Sequence, residues 1–85
     1  MNKIICEIYR CSNKEGMYVY LAKGDSLNQL PDPLRKRAGN MELAMTLMIT
    51  PEKKLARTKA GEVLAAIKNQ GFYLQMPPLA KMEIV

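Results

Sequence analysis

The run IICEIYR, between Lys3 and Arg10, is rich in β-branched and aromatic residues, and a second such run, MYVYLA, spans Met17 to Ala22. Polar SNKEG separates them. Two strands joined by a short polar loop that ends in Gly16, a residue free to take a positive φ, predict a β-hairpin. Past Lys23-Gly24-Asp25 the pattern changes. Asp25 or Ser26 is placed to cap a short turn through Leu27 and Leu30, which Pro31 interrupts. Asp32 and Pro33 then open a helix in which Leu34 and Ala38 share a face and Gly39 closes the C-terminus. From Met41 to Thr50 the alternation is clean: Leu43, Met45, Leu47 and Ile49 on one face, Glu42, Ala44, Thr46, Met48 and Thr50 on the other. This is a strand, stopped by Pro51.

The segment PEKKLART reads as a charged connection anchored by Leu55, with room for a short extended piece. Thr58 is placed to cap a helix from Lys59 to about Gln70, whose Ala60, Val63, Leu64 and Ile67 make a core-facing stripe, and Gly71 ends it. A last strand, Phe72 to Met76, is halted by Pro77-Pro78. The order β-β-α-β-α-β predicts an α/β fold with one mixed four-stranded sheet, and the helix before the last strand permits a right-handed parallel crossover. The pattern leaves open whether the helices lie on one face or both, but strands apolar on both faces favour cover on each side. One domain over residues 1–78 is expected, with 79–85 as a C-terminal tail.

Composition sharpens this picture in four ways. A chain of 85 residues supports a single core. Thirteen Lys and Arg against eight Asp and Glu give a net charge of +5, which favours anionic partners, although basicity in a small domain often serves solubility alone. Cys6 and Cys11 are roughly 16 Å apart if extended, too far for a disulfide unless the chain turns between them, and reduced thiols fit a cytoplasmic location. No run approaches the roughly 18 apolar residues of a membrane span, and no leader is evident.

Several separate pieces resemble the YcgL family of small bacterial proteins. The opening CEIYRCS is similar to that family's first strand, YVYLAKGDSLNQLP to its second strand and following loop, and LAMTLMITPEKKLA to its third strand and basic turn. The nine residues from Gln70 to Pro78, QGFYLQMPP, resemble its closing signature. The resemblance implies an α/β/α sandwich in a cytoplasmic protein of Gram-negative bacteria, and it carries over no biochemical activity. This sequence departs from the family pattern at Ala38, at Asn40-Met41 and at Lys59.

Candidate chemistry is sparse. The sequence has no histidine, so the commonest general base and the commonest metal ligand are missing. Two cysteines without CxxC spacing do not make a zinc site, though Cys11, at the hairpin end, is a candidate for exposure and reaction. The acids are scattered singly and the glycines form no phosphate loop. No enzyme activity, cofactor or metal is therefore expected.

The basic residues are denser: Arg35, Lys36 and Arg37 on the first helix, and Lys53, Lys54 and Arg57 in the charged connection. If both groups lie on one side of the sheet, they form a patch fit for salt-dependent contact with a nucleic-acid backbone. Tyr9, Tyr18, Tyr20, Tyr73 and Phe72 would offer a base-stacking platform only if a sheet face were open. Met17, Met45, Met48 and Met76 are expected to fill the core. The sequence thus predicts a non-enzymatic protein-interaction or adaptor module using Arg35, Lys36, Arg37, Lys53, Lys54 and Arg57, with RNA binding by the same residues as the alternative. It leaves the partner and the oligomeric state open.

Overall fold

In a computed structural model, which describes residues 3–55 and 58–76, the chain forms four strands and two helices: β1 (Ile4–Cys11), β2 (Tyr18–Ala22), α1 (Asp32–Ala38), β3 (Met41–Ile49), α2 (Ala60–Gln70) and β4 (Tyr73–Gln75). A 3-10 turn, Leu27–Gln29, adds to the expected order and is capped by Ser26, whose Oγ accepts from the Asn28 N–H at 3.0 Å. The predicted hairpin is present, with β1 and β2 antiparallel and Gly16 at φ +87° in the connection.

The sheet has the order β3-β1-β2-β4, and each neighbouring pair is antiparallel. The mixed sheet and its parallel crossover are therefore corrected. The hairpin occupies the middle, β3 adds beside β1, and α2 carries the chain across one face to the far edge. There β4 pairs with β2 instead of with β3.

Side chains of β1 and β2 alternate between two buried clusters, one on each face. On one face Cys6, Ile8 and Tyr20 meet Ala60, Val63 and Ile67 of α2, together with Ile49. On the other, Cys11, Val19 and Leu21 meet Ala38 of α1, with Met17 and Leu30. Both faces thus carry a helix, but α1 has only seven residues and β3 extends beyond its cover. The expected sandwich is met in outline, with one thin outer layer.

Register corrects the expected faces of β3. Pairing passes from Ile8↔Met45 to Tyr9↔Leu43, skipping Ala44. Directly opposed residues share a face, so this bulge sends Leu43 to the α1 side while Met45, Leu47 and Ile49 stay on the α2 side. Only Ile49 of the four is buried; Leu43 and Met45 are 53% and 52% exposed. Met48 and Met76 are also exposed, against the expectation that they fill the core, whereas Met17 is buried.

Both helix ends carry informative detail. Gly39 closes α1 at φ +75°, and its N–H donates to the Arg35 carbonyl at 3.1 Å. A Cβ at this glycine would stand 2.5 Å from Cγ of Asn13, so an alanine here would have to displace the exposed Asn13 side chain as well as adopt the positive φ. Thr58 does not cap α2. The helix starts after Lys59 without a side-chain cap, and the Thr58 hydroxyl instead hydrogen-bonds the Tyr73 hydroxyl at 2.5 Å. The tail expected at 79–85, and Pro77-Pro78, lie outside the described residues.

Burial sets the expected mutational pattern. Leu21→Ala, at a fully buried site, should cost about 2–5 kcal/mol in urea unfolding. Leu43→Ala should stay within about 0.5 kcal/mol. Gly39→Ala should cost about 1–3 kcal/mol, and Asn13→Ala should not restore it fully because the positive φ remains.

Candidate functional site

Beside α2, no helix among the described residues covers the rest of that face of the sheet, and a cavity of about 570 Å³ opens there. Its floor comes from three strands: Ile8 of β1, Tyr18 and Tyr20 of β2, and Met45 and Leu47 of β3. Its wall is the segment after β3, in which Leu55 packs onto the α2-side cluster and Lys54 bridges to Lys59 in a single antiparallel step. Leu55 is thus the anchor expected from the sequence. It folds the segment back over the sheet, and Lys53 and Lys54 line the cavity.

Polar contacts fix the far end. The Tyr20 hydroxyl donates to Oε1 of buried Gln75 at 2.8 Å, and the Tyr20 and Tyr73 rings meet edge-to-face at 5.5 Å. Tyr73 in turn holds Thr58. This chain of contacts ties β2, β4 and the residue two before α2 together.

The third cation of the cavity is Arg10, which the sequence reading did not single out. Strand alternation contained the signal, since Arg10 follows Ile4, Cys6 and Ile8 on the α2 side. Its guanidinium donates to Glu42 at 3.1 Å across the β1–β3 pair, with both side chains more than half exposed. A pair so exposed contributes little to stability, and it leaves Arg10 able to exchange Glu42 for another anion.

The structure does not bring the two predicted basic groups together. Arg35 and Lys36 line a separate small concavity with Asp32, and α1 belongs to the opposite face. Arg35 is paired with Asp32 at 2.5 Å. Arg37 is exposed on the same helix. Arg57 lies outside the described residues. The aromatic residues also divide, Tyr18, Tyr20 and Tyr73 packing on the α2 side and Tyr9 and Phe72 on the α1 side. They form no common platform.

Cys11 is buried, 2% exposed, because it points into the α1-side cluster, which overturns its candidacy as an exposed thiol. Cys6 is buried on the other face, and burial pushes its thiol up to about 11 from an ordinary 9.0. Burial raises Cys11 as well. Among the described residues no three of His, Cys, Asp and Glu come together, and no helix is long and apolar enough to cross a membrane.

These observations define a small α/β domain with an antiparallel sheet, a helix on each face and a cationic groove beside one edge strand. The chain belongs to the YcgL domain family, whose sequence profile matches residues 6–78. A YcgL domain-containing protein of Saccharophagus degradans is 52% identical over 75 residues, covering 88% of this chain and 82% of that protein. Namesakes in Cellvibrio japonicus and Actinobacillus pleuropneumoniae serotype 3 are 46% and 44% identical, covering 89% and 92% of this chain and 78% and 82% of theirs. The family expected from the sequence is confirmed.

The thiols give a direct check. Raising a pKa from 9.0 to about 11 lowers the thiolate fraction near pH 8 about 100-fold, before any steric protection. Ellman's reagent should therefore label Cys6 at least about 100-fold more slowly in the folded protein than in urea, and Cys11 should be slowed in the same direction. Because the folded value lies above the unfolded one, the stability tied to Cys6 is complete below about pH 9 and falls as pH rises through about 11.

Proposed function

We propose that this domain is a non-enzymatic protein-interaction or adaptor module of the cytoplasm, and that its binding surface is the groove between the sheet and the Lys53–Leu55 segment. The observation that carries this reading is the pairing of an apolar floor, with Met45 half-exposed, with a rim of Arg10, Lys53 and Lys54. Apolar area of this kind supplies association energy, while a cationic rim steers and selects an acidic partner. The missing histidine and the two buried thiols support the non-enzymatic part. Arg35, Lys36 and Arg37, on the other face, contribute to solubility in this reading.

RNA binding is the second reading, favoured by the same three cations beside the half-buried Tyr18 ring. The two readings separate by salt. Three phosphate contacts to a single strand give a slope of about −2 in log K against log salt, so affinity should fall about 20-fold between 50 and 200 mM salt. A protein interface with an apolar floor should change much less.

The test uses wild type, Lys53→Glu/Lys54→Glu and Arg35→Glu/Arg37→Glu as baits in a bacterial lysate, with and without nuclease. The reading expects a protein that survives nuclease and 200 mM salt, is lost with the Lys53/Lys54 variant and is retained by the Arg35/Arg37 variant. Retention by both variants removes the groove from the binding surface, and loss on nuclease treatment transfers the function to RNA.

A further inference from the structure

The groove does not end at its apolar floor, because its outer boundary is the free edge of the sheet. β3 is the terminal strand, and among the described residues nothing pairs with its outer side. It is nine residues long and contains neither lysine, arginine nor proline; Glu42 is its single charge. Natural edge strands are normally blunted by shortness, lysines, proline or a β-bulge; β3 has only the last, at Ala44, so the regular stretch from Met45 to Ile49 is left as a template for another strand. The apolar side chains along it, Leu43 and Met48 toward one face and Met45 toward the other, are each about half exposed. A strand added here would find backbone donors and acceptors along its length and a hydrophobic contact on either face.

Building on the proposed interaction role, we infer that β3 accepts an extended acidic segment of a partner protein as a fifth strand, with the segment's α2-side residues facing Lys53, Lys54 and Arg10. Charge complementarity selects this occupant. The Lys53 and Lys54 side chains line the same cavity as Ala44, Met45 and Leu47, so carboxylates on alternate positions of an added strand would face them. Glu42, already beside Arg10, shows the chemistry in miniature: a carboxylate on an edge strand pairs with that guanidinium at 3.1 Å.

A second copy of this chain is the less suitable occupant for a geometric reason. Antiparallel pairing of β3 with itself places the two-fold axis perpendicular to the sheet, so both α2-side faces point the same way. Two sets of Arg10, Lys53 and Lys54 would then flank one seam, in molecules that each carry a net charge of +5. Like charges so placed oppose association.

The probe is an alternating valine–glutamate octapeptide titrated into the isotope-labelled protein. Three comparison peptides accompany it: the valine–lysine analogue, a version with two successive central amides N-methylated so that both strand edges are blocked, and a poly-uridine octamer in place of peptide. Expected are amide shifts confined to Met41–Ile49 and Lys53–Leu55, slowed hydrogen exchange in β3, and affinity at least tenfold weaker for the lysine analogue, for the N-methylated peptide and for Lys53→Glu/Lys54→Glu.

Equal binding of the N-methylated peptide overturns strand addition while leaving the groove reading intact. Equal binding of the lysine analogue overturns the charge selection. Shifts elsewhere, or none up to millimolar peptide, overturn the inference whatever the lysate experiment gives. Tighter binding of the oligonucleotide at these amides reassigns the surface to RNA. Concentration-dependent protection of β3 in the free protein reassigns it to a second copy.

Discussion

The antiparallel pairing of β1 with β2 is the constraint on which the other elements depend. Both strands lie inside the sheet and both carry apolar side chains on each face, so neither face can be left to water. Ile8 and Tyr20 are opposed on one side, and Val19 and Leu21 face the other. Each helix lies where it must to cover one of these sets. α2 brings Ala60, Val63 and Ile67 to the first and α1 brings Ala38 to the second. Among the described residues the two helices do not cover the sheet to its full width, so β3 protrudes on one side and the groove opens beside it.

Small local features convert that uncovered margin into a defined surface. The bulge at Ala44 moves Leu43 to the α1 side, where a regular strand would have kept it in line with Met45, Leu47 and Ile49. Leu55 folds the charged connection back over the sheet, which turns Lys53 and Lys54 from a solvated run into the rim of a concavity. The packing of Leu55 onto the α2-side cluster and the Lys54↔Lys59 bridge hold that rim against the strands.

The sequence made the elements legible because their evidence is local. Period-two and period-3.6 patterns identified the hairpin and α2, and Gly39 and Gly71 marked helix ends at their observed positions. Sheet order was not legible, because alternation says which residues share a face and is silent on which strand lies beside it. The same limit misplaced Leu43 and Met45: their hydrophobicity fits a core strand, but an edge position and a skipped residue decide their exposure. In the candidate site, Lys53 and Lys54 stood out by density, whereas Arg10 required the pairing to be recognised as their neighbour. Arg35, Lys36 and Arg37 looked equivalent to them in sequence and were separated only by the thickness of the sheet.

The bare edge of β3 also bears on the colloidal behaviour of the protein. Nothing in that strand's own composition deters a neighbouring molecule from stacking alongside it, so the burden of keeping copies dispersed falls on the net charge of +5, much of it remote from the edge. Surface lysines and arginines on α1 that contact no partner therefore still have a physical task. Concentrated salt, which weakens this long-range repulsion, leaves a sticky margin undefended.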